Sequence, residues 1–195
     1  MQNSDVTSWS FQTDPVHDWA YWEKLFTDQE CDEIIKICKS KKLSIAEVKL
    51  EKEIDLNYRK SNIVFVGPNN LDWVFRRLTD VCMSLNDRFF GFDLWGFSEG
   101  LQFTEYKSSG SKYDDHIDRS CNGVIRKLSV VIQLTDPKKY KGCDLELITS
   151  MTPNKMSRER GHLVIFPSYI LHRVTPLERG TRHSLVGWVT GKPFK

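Results

Sequence analysis

"LWGFSEGLQFTEYK", Leu94 to Lys107, is where the texture of the chain changes. It is a short run rich in aromatic residues, and similar β-rich runs follow it to the C-terminus. They are "RKLSVVIQLTD" from Arg126, "DLELIT" from Asp144, "HLVIF" from His162 and "TRHSLVGWVTG" from Thr181. Between them lie "SSGS", "DPKKYKG", "TPNK" and "LERG", whose Gly, Pro, Ser and Asn residues are turn chemistry. Upstream the pattern is helical. Thr27 and Glu30 form a T-x-x-E capping box, after which Ile34, Ile35 and Cys38 recur at helical spacing, predicting a helix from about Asp28 to Lys41. A second helix is expected from near Asn70, with Val74, Leu78, Val81, Cys82 and Leu85 as its buried stripe. Ile63 to Val66 reads as a strand. Two helices followed by many short antiparallel strands predict an α+β, mainly β fold, with the helices packed on one face of a sandwich or barrel.

The chain has 195 residues, enough to bury a core without disulfide or metal staples, and is expected to form one domain, 1–195. Its N-terminal helical support would span about 20–90 and its β core about 94–191. A hydrophobic share of 39% and a charged share of 28% fit a globular protein. A net charge of +2, with both signs interspersed, gives no reason to expect nucleic-acid or membrane partners. The opening residues, "MQNSDVTSWSFQTDPVHDWAYW", lack a basic segment followed by an apolar run, and no stretch approaches the ~20 apolar residues of a membrane span. The five cysteines, at 31, 38, 82, 121 and 143, are odd in number and show no C-x-x-C spacing. Free thiols and a cytoplasmic setting are the expectation.

The chemistry concentrates in "YDDHIDRS", Tyr113 to Ser120, where His116 and Asp118 stand two residues apart. On a helix the two side chains would point to nearly opposite sides; on a strand or its frayed end they share a face and can converge on one ion. A third ligand is required, and His17, His162, His172 and His183 are the remaining histidines. His172, in "PSYILHRVTP", ends an apolar strand near a turn, where a barrel mouth would present it. His183, next to Arg182 on a strand, should face away from whatever Arg182 faces. Two imidazoles and one carboxylate on one face of an octahedron leave three positions open, as non-haem Fe(II) oxygen chemistry requires.

Taken together, "FTEYKSSGSKYDDHID", "YKGCDLEL", "GHLVIFPS", "HRVTP" and "RHSLVGW" resemble the Fe(II)- and 2-oxoglutarate-dependent dioxygenases of the prolyl 4-hydroxylase-like group, from about "LFTDQECDEIIK" to the C-terminus. The resemblance implies a double-stranded β-helix, or jelly-roll, with the helices on one sheet. It implies His116, Asp118 and His172 as iron ligands and Arg182, ten residues past His172, as anchor of the 2-oxoglutarate co-substrate. A buried far carboxylate must be paired, and a guanidinium does this through two parallel hydrogen bonds. Strand alternation groups Arg182, Ser184, Val186 and Trp188 on one face, and the family pattern makes that face the pocket lining. By the same resemblance Tyr106, ten residues before His116, lies near co-substrate and metal. Gln133 stands where several relatives have a tyrosine bonding the distal carboxylate; an amide could donate the same bond. Arg126, Trp188 and Tyr113 are expected at the substrate, and the charged segment 47–60 as a lid or a plain exposed loop.

The implied activity is hydroxylation of a C–H bond with release of succinate and CO2. Prolyl residues of a peptide or protein are the first expectation for the substrate, with O2 as oxidant and ascorbate as reductant. Free amino acids or small molecules as substrates, or a jelly-roll binding module without turnover, stay open. A zinc hydrolase would need a general base such as the Glu of H-E-x-x-H, and the sequence has no such motif. Oligomeric state is not legible.

Overall fold

The computed structural model describes residues 16–46, 55–118 and 123–193. Strand β1 (Ala20–Trp22) precedes helix α1 (Asp28–Lys39). The capping box forms as the sequence predicts: the Glu30 amide donates to Thr27 Oγ1 at 3.2 Å, and the Thr27 amide donates to Glu30 Oε2 at 2.8 Å. The helix stops at Lys39, where the Ser40 hydroxyl bonds the Ile37 carbonyl. Strands β2 (Ser44–Ile45) and β3 (Asn62–Val66) follow, then helix α2 (Pro68–Phe89). Gly67 caps α2 with Pro68 at its first turn, two residues before the Asn70 start read from sequence. Leu71 is non-helical (φ −136°, ψ 35°), so the regular helix begins only beyond it. The expected stripe of Val74, Leu78, Val81, Cys82 and Leu85 is buried.

The remaining chain is strand-rich: β4 (Leu94–Phe97), β5 (Leu101–Tyr106), β6 (Tyr113–His116) and β7 (Arg126–Gln133). A 3-10 turn at Pro137–Lys139 leads to β8 (Tyr140–Gly142), β9 (Leu145–Leu147) and β10 (Asn154–Lys155). Then come β11 (Leu163–Pro167), β12 (His172–Val174), β13 (Leu177–Gly180) and the long β14 (Arg182–Gly191). The large sheet runs β1-β11-β7-β14-β5-β3-β2, with β4 also paired to β14; a smaller sheet runs β10-β9-β12-β6. The "LERG" and "YKG" segments, turn chemistry by composition, instead pair with each other as the β13–β8 ribbon. Among the described residues every strand pairing is antiparallel, as expected of a jelly-roll.

Strand alternation sorts the core into two layers. One face of the large sheet, carrying Leu101, Phe103, Leu128, Val130, Ile132, Leu163, Ile165 and Leu185, packs against the apolar stripes of α1 and α2. The opposite face carries Tyr106, Val131, Val164 and Phe166, and meets Leu145, Leu147 and Val174 of the smaller sheet. Polar residues interrupt that second layer: Gln102, Thr104, Ser129, Gln133, Arg182 and Ser184 are all buried. A buried polar group must be partnered, so these interruptions locate the site. Four cysteines (31, 38, 82 and 143) are buried free thiols; Cys121 lies outside the described residues.

Candidate active site

β6 ends at His116, and two residues on, the Asp118 amide donates to the Ser168 carbonyl at 2.9 Å. That bond keeps the strand end extended, so both side chains fall on one side. β12 lies antiparallel to β6 with His172 directly opposite His116. The geometry thereby brings His116, Asp118 and His172 together, each with a ligand atom within 4.8 Å of the others. His172 Nε2 is 3.5 Å from Asp118 Oδ2, and His116 Nε2 is 3.8 Å from Asp118 Oδ1.

Each imidazole is oriented from behind. His116 Nδ1 bonds the Asp114 carbonyl at 2.7 Å and His172 Nδ1 the Ile170 carbonyl at 2.9 Å. A carbonyl only accepts, so Nδ1 carries the proton and Nε2 presents its lone pair to the centre. Ser129 Oγ donates to Asp118 Oδ2 at 2.7 Å and lies 2.9 Å from Ser168 Oγ. Burial, then the neighbouring His172, pushes the His116 pKa down to about 3, so this imidazole is neutral. Burial alone would raise the Asp118 carboxyl, but the two histidines with Trp188 and Ser129 hold it below the ordinary carboxylate value. Two imidazoles and one carboxylate fit a ferrous ion with open positions.

Deeper in the same cleft, Arg182 is almost fully buried. Its Nε and Nη2 donate to Gln133 Oε1 at 3.1 and 3.0 Å. Its Nη1 is buried with no hydrogen-bond partner. Burial works against the charge, yet the Cys143 thiol and the Tyr140 and Tyr106 phenols around it keep the guanidinium pKa up. A buried, charged, incompletely paired guanidinium calls for an anion. Tyr106, opposite Arg182 in the β14–β5 register, turns its ring to within 5.4 Å of the guanidinium carbon. Ser184, opposite Gln133 across the β14–β7 pair, lines the cleft, as do Val186 and Trp188. His183 faces the other way, stacked on Phe103 with Nε2 3.3 Å from Glu105.

At the mouth, Tyr113 lies flat on His116 with ring centroids 3.5 Å apart, and burial pushes its phenol pKa up to about 12. The indole of Trp188 forms the opposite wall, with the exposed Phe65 tilted against it at 6.4 Å. Arg126 is paired with Glu99 through both Nε (2.8 Å) and Nη2 (2.7 Å), and its guanidinium carbon sits 3.7 Å above the Trp188 ring. It therefore braces Trp188 and carries no unpaired charge into the cleft.

Sequence reading missed Arg59, Gln102 and Thr104, all lining the cleft, and the Ser129–Ser168 pair. Arg59 is buried, lies 4.2 Å over the Tyr113 ring and bridges to the Tyr113 backbone. Of the segment 47–60, residues 47–54 lie outside the described part. Residues 55–60 form a turn held to β6 by bonds from the Asp114 amide to the Tyr58 carbonyl and from the Lys60 amide to the Lys112 carbonyl, both 2.9 Å. No signal in the charged run singles out Arg59; its importance comes from that long-range bridge.

Comparison with known proteins agrees with this geometry. Residues 101–190 match the family model of the 2OG-Fe(II) oxygenase superfamily. Over that stretch, which carries His116, Asp118, His172 and Arg182, the chain is similar to that superfamily. A PKHD-type hydroxylase of Prochlorococcus marinus is 35% identical over 91 residues, 46% of this chain and 41% of its own length. The matched part thus spans about two-fifths of that relative. A second, from another strain of the same species, is 28% identical over 166 residues, covering 85% of this chain and 75% of its own length. Among solved structures, a Pseudomonas putida prolyl-4-hydroxylase superposes with a TM-score of 0.72 at 21% identity, covering 91% of this chain and 94% of its own. A Trichoplax adhaerens prolyl hydroxylase, in complex with a peptide fragment of the hypoxia inducible factor oxygen degradation domain, gives 0.76 at 16%, covering 89% and 84%. These likenesses establish the jelly-roll fold. Among the described residues no helix is long and apolar enough to cross a membrane.

Proposed function

We propose that this chain is an Fe(II)- and 2-oxoglutarate-dependent hydroxylase whose substrate is a prolyl residue in a peptide or protein. The observation that carries the reading is one cleft holding two elements together. These are the triad with both Nδ1 atoms locked and, behind it, a buried guanidinium with a free nitrogen. His116, Asp118 and His172 would hold the iron. When bound, the iron supplies the activation of O2 that converts 2-oxoglutarate to succinate and CO2 and places one oxygen in a substrate C–H bond.

The side chains of this protein contribute binding, orientation and dryness. Arg182 neutralises the far carboxylate of 2-oxoglutarate inside the apolar layer, where an unpaired charge would be costly. Tyr106, Val131, Leu145 and Val174 line the cleft and exclude water from it. Tyr113 and Trp188 face the mouth with flat apolar surfaces, which suit a pyrrolidine ring. Arg126, held by Glu99, stiffens the indole and limits the rotamers it can adopt. The peptide complex of the Trichoplax adhaerens relative supports a peptide substrate here. Ascorbate, as the reductant restoring Fe(II), belongs to the same proposal.

The test is turnover of the purified chain with Fe(II), ascorbate, 2-oxoglutarate and a library of proline-containing peptides. Expected are succinate release stimulated by particular peptides and a product heavier by one oxygen atom, mapped to proline. Succinate release stimulated only by free amino acids would overturn the substrate assignment. No succinate under any condition would overturn the activity.

A further inference from the structure

The resemblance places a tyrosine, here Gln133, beside the far carboxylate of the co-substrate, but the geometry gives Gln133 other work. Its Oε1 accepts both Nε and Nη2 of Arg182. Turning the amide over would set its NH2 against the guanidinium, donor against donor, so the arginine dictates this orientation. Gln133 is therefore a positioning residue for Arg182. The carboxylate has two oxygens, and beyond the Nη1 of Arg182 it requires a second donor.

A second unpartnered donor is present in the same layer. The hydroxyl of Tyr140 is buried and, like Arg182 Nη1, has no hydrogen-bond partner. Tyr140 pairs with Gly180 in the β8–β13 ribbon, two residues before Arg182, and it packs in the cluster that contains Tyr106, Cys143 and Val131. The approach is unusually close. Gly180 has φ +85°, and a Cβ there would lie 2.2 Å from the Lys139 carbonyl oxygen and 2.8 Å from Tyr140 Cα. The Tyr140 backbone can therefore press against the strand that leads into Arg182 only because residue 180 is glycine. From the outer side Arg158 places its guanidinium carbon 4.3 Å over the Tyr140 ring and donates from Nη2 to the Tyr140 carbonyl at 3.0 Å. A cation held on the ring face fixes the orientation of the phenol. Leaving a buried donor unsatisfied is costly, and Tyr140 lies close enough to Arg182 to bear on its charge, so these two orphaned donors point to one ligand that satisfies both.

We propose that the Tyr140 hydroxyl is the second donor to the far carboxylate of 2-oxoglutarate, acting with Arg182 Nη1, while Gln133 locks the guanidinium through its Oε1. This rests on the proposed function. It assigns the anion subsite to a residue on β8, outside the strands that carry the rest of the site.

The experiment is anaerobic titration of the Fe(II)-loaded protein with 2-oxoglutarate, followed by the visible absorption of the chelate. It is repeated with 2-oxobutanoate, a 2-oxo acid that lacks the far carboxylate. Tyr140→Phe removes one oxygen and keeps the ring. Loss of a hydrogen bond to a charged group predicts a dissociation constant for 2-oxoglutarate at least about tenfold higher, with that for 2-oxobutanoate unchanged. Tyr140→Phe binding 2-oxoglutarate as tightly as the wild type, while Arg182→Ala does not, would overturn the assignment and leave the proposed function standing. Equal weakening for both acids would overturn it too, because the hydroxyl would then act on the fold and not on the carboxylate. A wild-type protein that binds neither acid would overturn the proposed function, and this inference with it.

Discussion

Removing the Ser129 hydroxyl isolates what the surroundings of the triad contribute to metal binding. Ser129 Oγ donates to Asp118 Oδ2 at 2.7 Å and touches Ser168 Oγ at 2.9 Å, and both serines are buried. Ser129→Ala deletes a charge-assisted hydrogen bond of roughly 1.5–3 kcal/mol. It also frees the carboxylate to rotate away from His172 Nε2, now 3.5 Å distant. Little packing is lost, since the Cβ remains, so the fold should survive. Supporting contacts of this kind typically hold about 10–100-fold of metal affinity, which is about 1.4–2.8 kcal/mol and agrees with the hydrogen-bond figure. Titration calorimetry with Mn(II), which resists oxidation, should show Ser129→Ala binding about 10–100-fold more weakly. Ser129→Thr, which restores a hydroxyl, should recover most of the loss. Equal affinity in wild type and Ser129→Ala, at equal thermal stability, would refute the idea that this hydroxyl orients the carboxylate.

Three further outcomes follow from other parts of the fold. Arg182→Lys offers a point charge where a planar fork is needed, so it should keep Mn(II) affinity by calorimetry while weakening 2-oxoglutarate binding by about a hundredfold. Gly161→Ala places a Cβ 1.9 Å from the Phe26 carbonyl oxygen at φ +78°, and thermal denaturation should show a loss of roughly 3 kcal/mol or more. Burial opposes the charge of Glu105, but bonds from Asn62, His183, Lys107 and Lys39 prevail and hold its pKa at about 2, below the ordinary 4.5. A carboxyl depressed by folding adds stability above its unfolded pKa and loses it as pH falls through the folded value. Melting temperatures should therefore fall less steeply between about pH 4.5 and 2 in Glu105→Gln than in the wild type; parallel slopes would contradict this.

What the sequence revealed depended on whether the signal was periodic or local. The capping box at Thr27 and the stripe from Val74 to Leu85 are local patterns, and both form as read. Period-two alternation on β14 correctly separated Arg182 and Ser184 from His183, because strand geometry leaves no other arrangement. The H-x-D spacing and the position of His172 likewise survive into three converging side chains. Side-chain partnerships across long separations were not legible. Arg126 is bound to Glu99, 27 residues away, and Ser129 to Ser168, 39 residues away. The two bonds that Gln133 accepts at Oε1 were not legible either, since the sequence gives the position of an amide but not its orientation. The β8–β13 ribbon was hidden for a related reason: each strand is short and written in turn residues, so only their mutual pairing makes them strands.

In the proposed reaction His116, Asp118 and His172 hold one ferrous ion, and Arg182 anchors the 2-oxoglutarate that reaches it. Adding Fe(II) and then 2-oxoglutarate without oxygen to the metal-free protein tests it directly. A weak visible charge-transfer band is expected, saturating at one iron per chain and absent from His116→Ala and His172→Ala. No band in the wild type, or an undiminished band in the histidine variants, would contradict it.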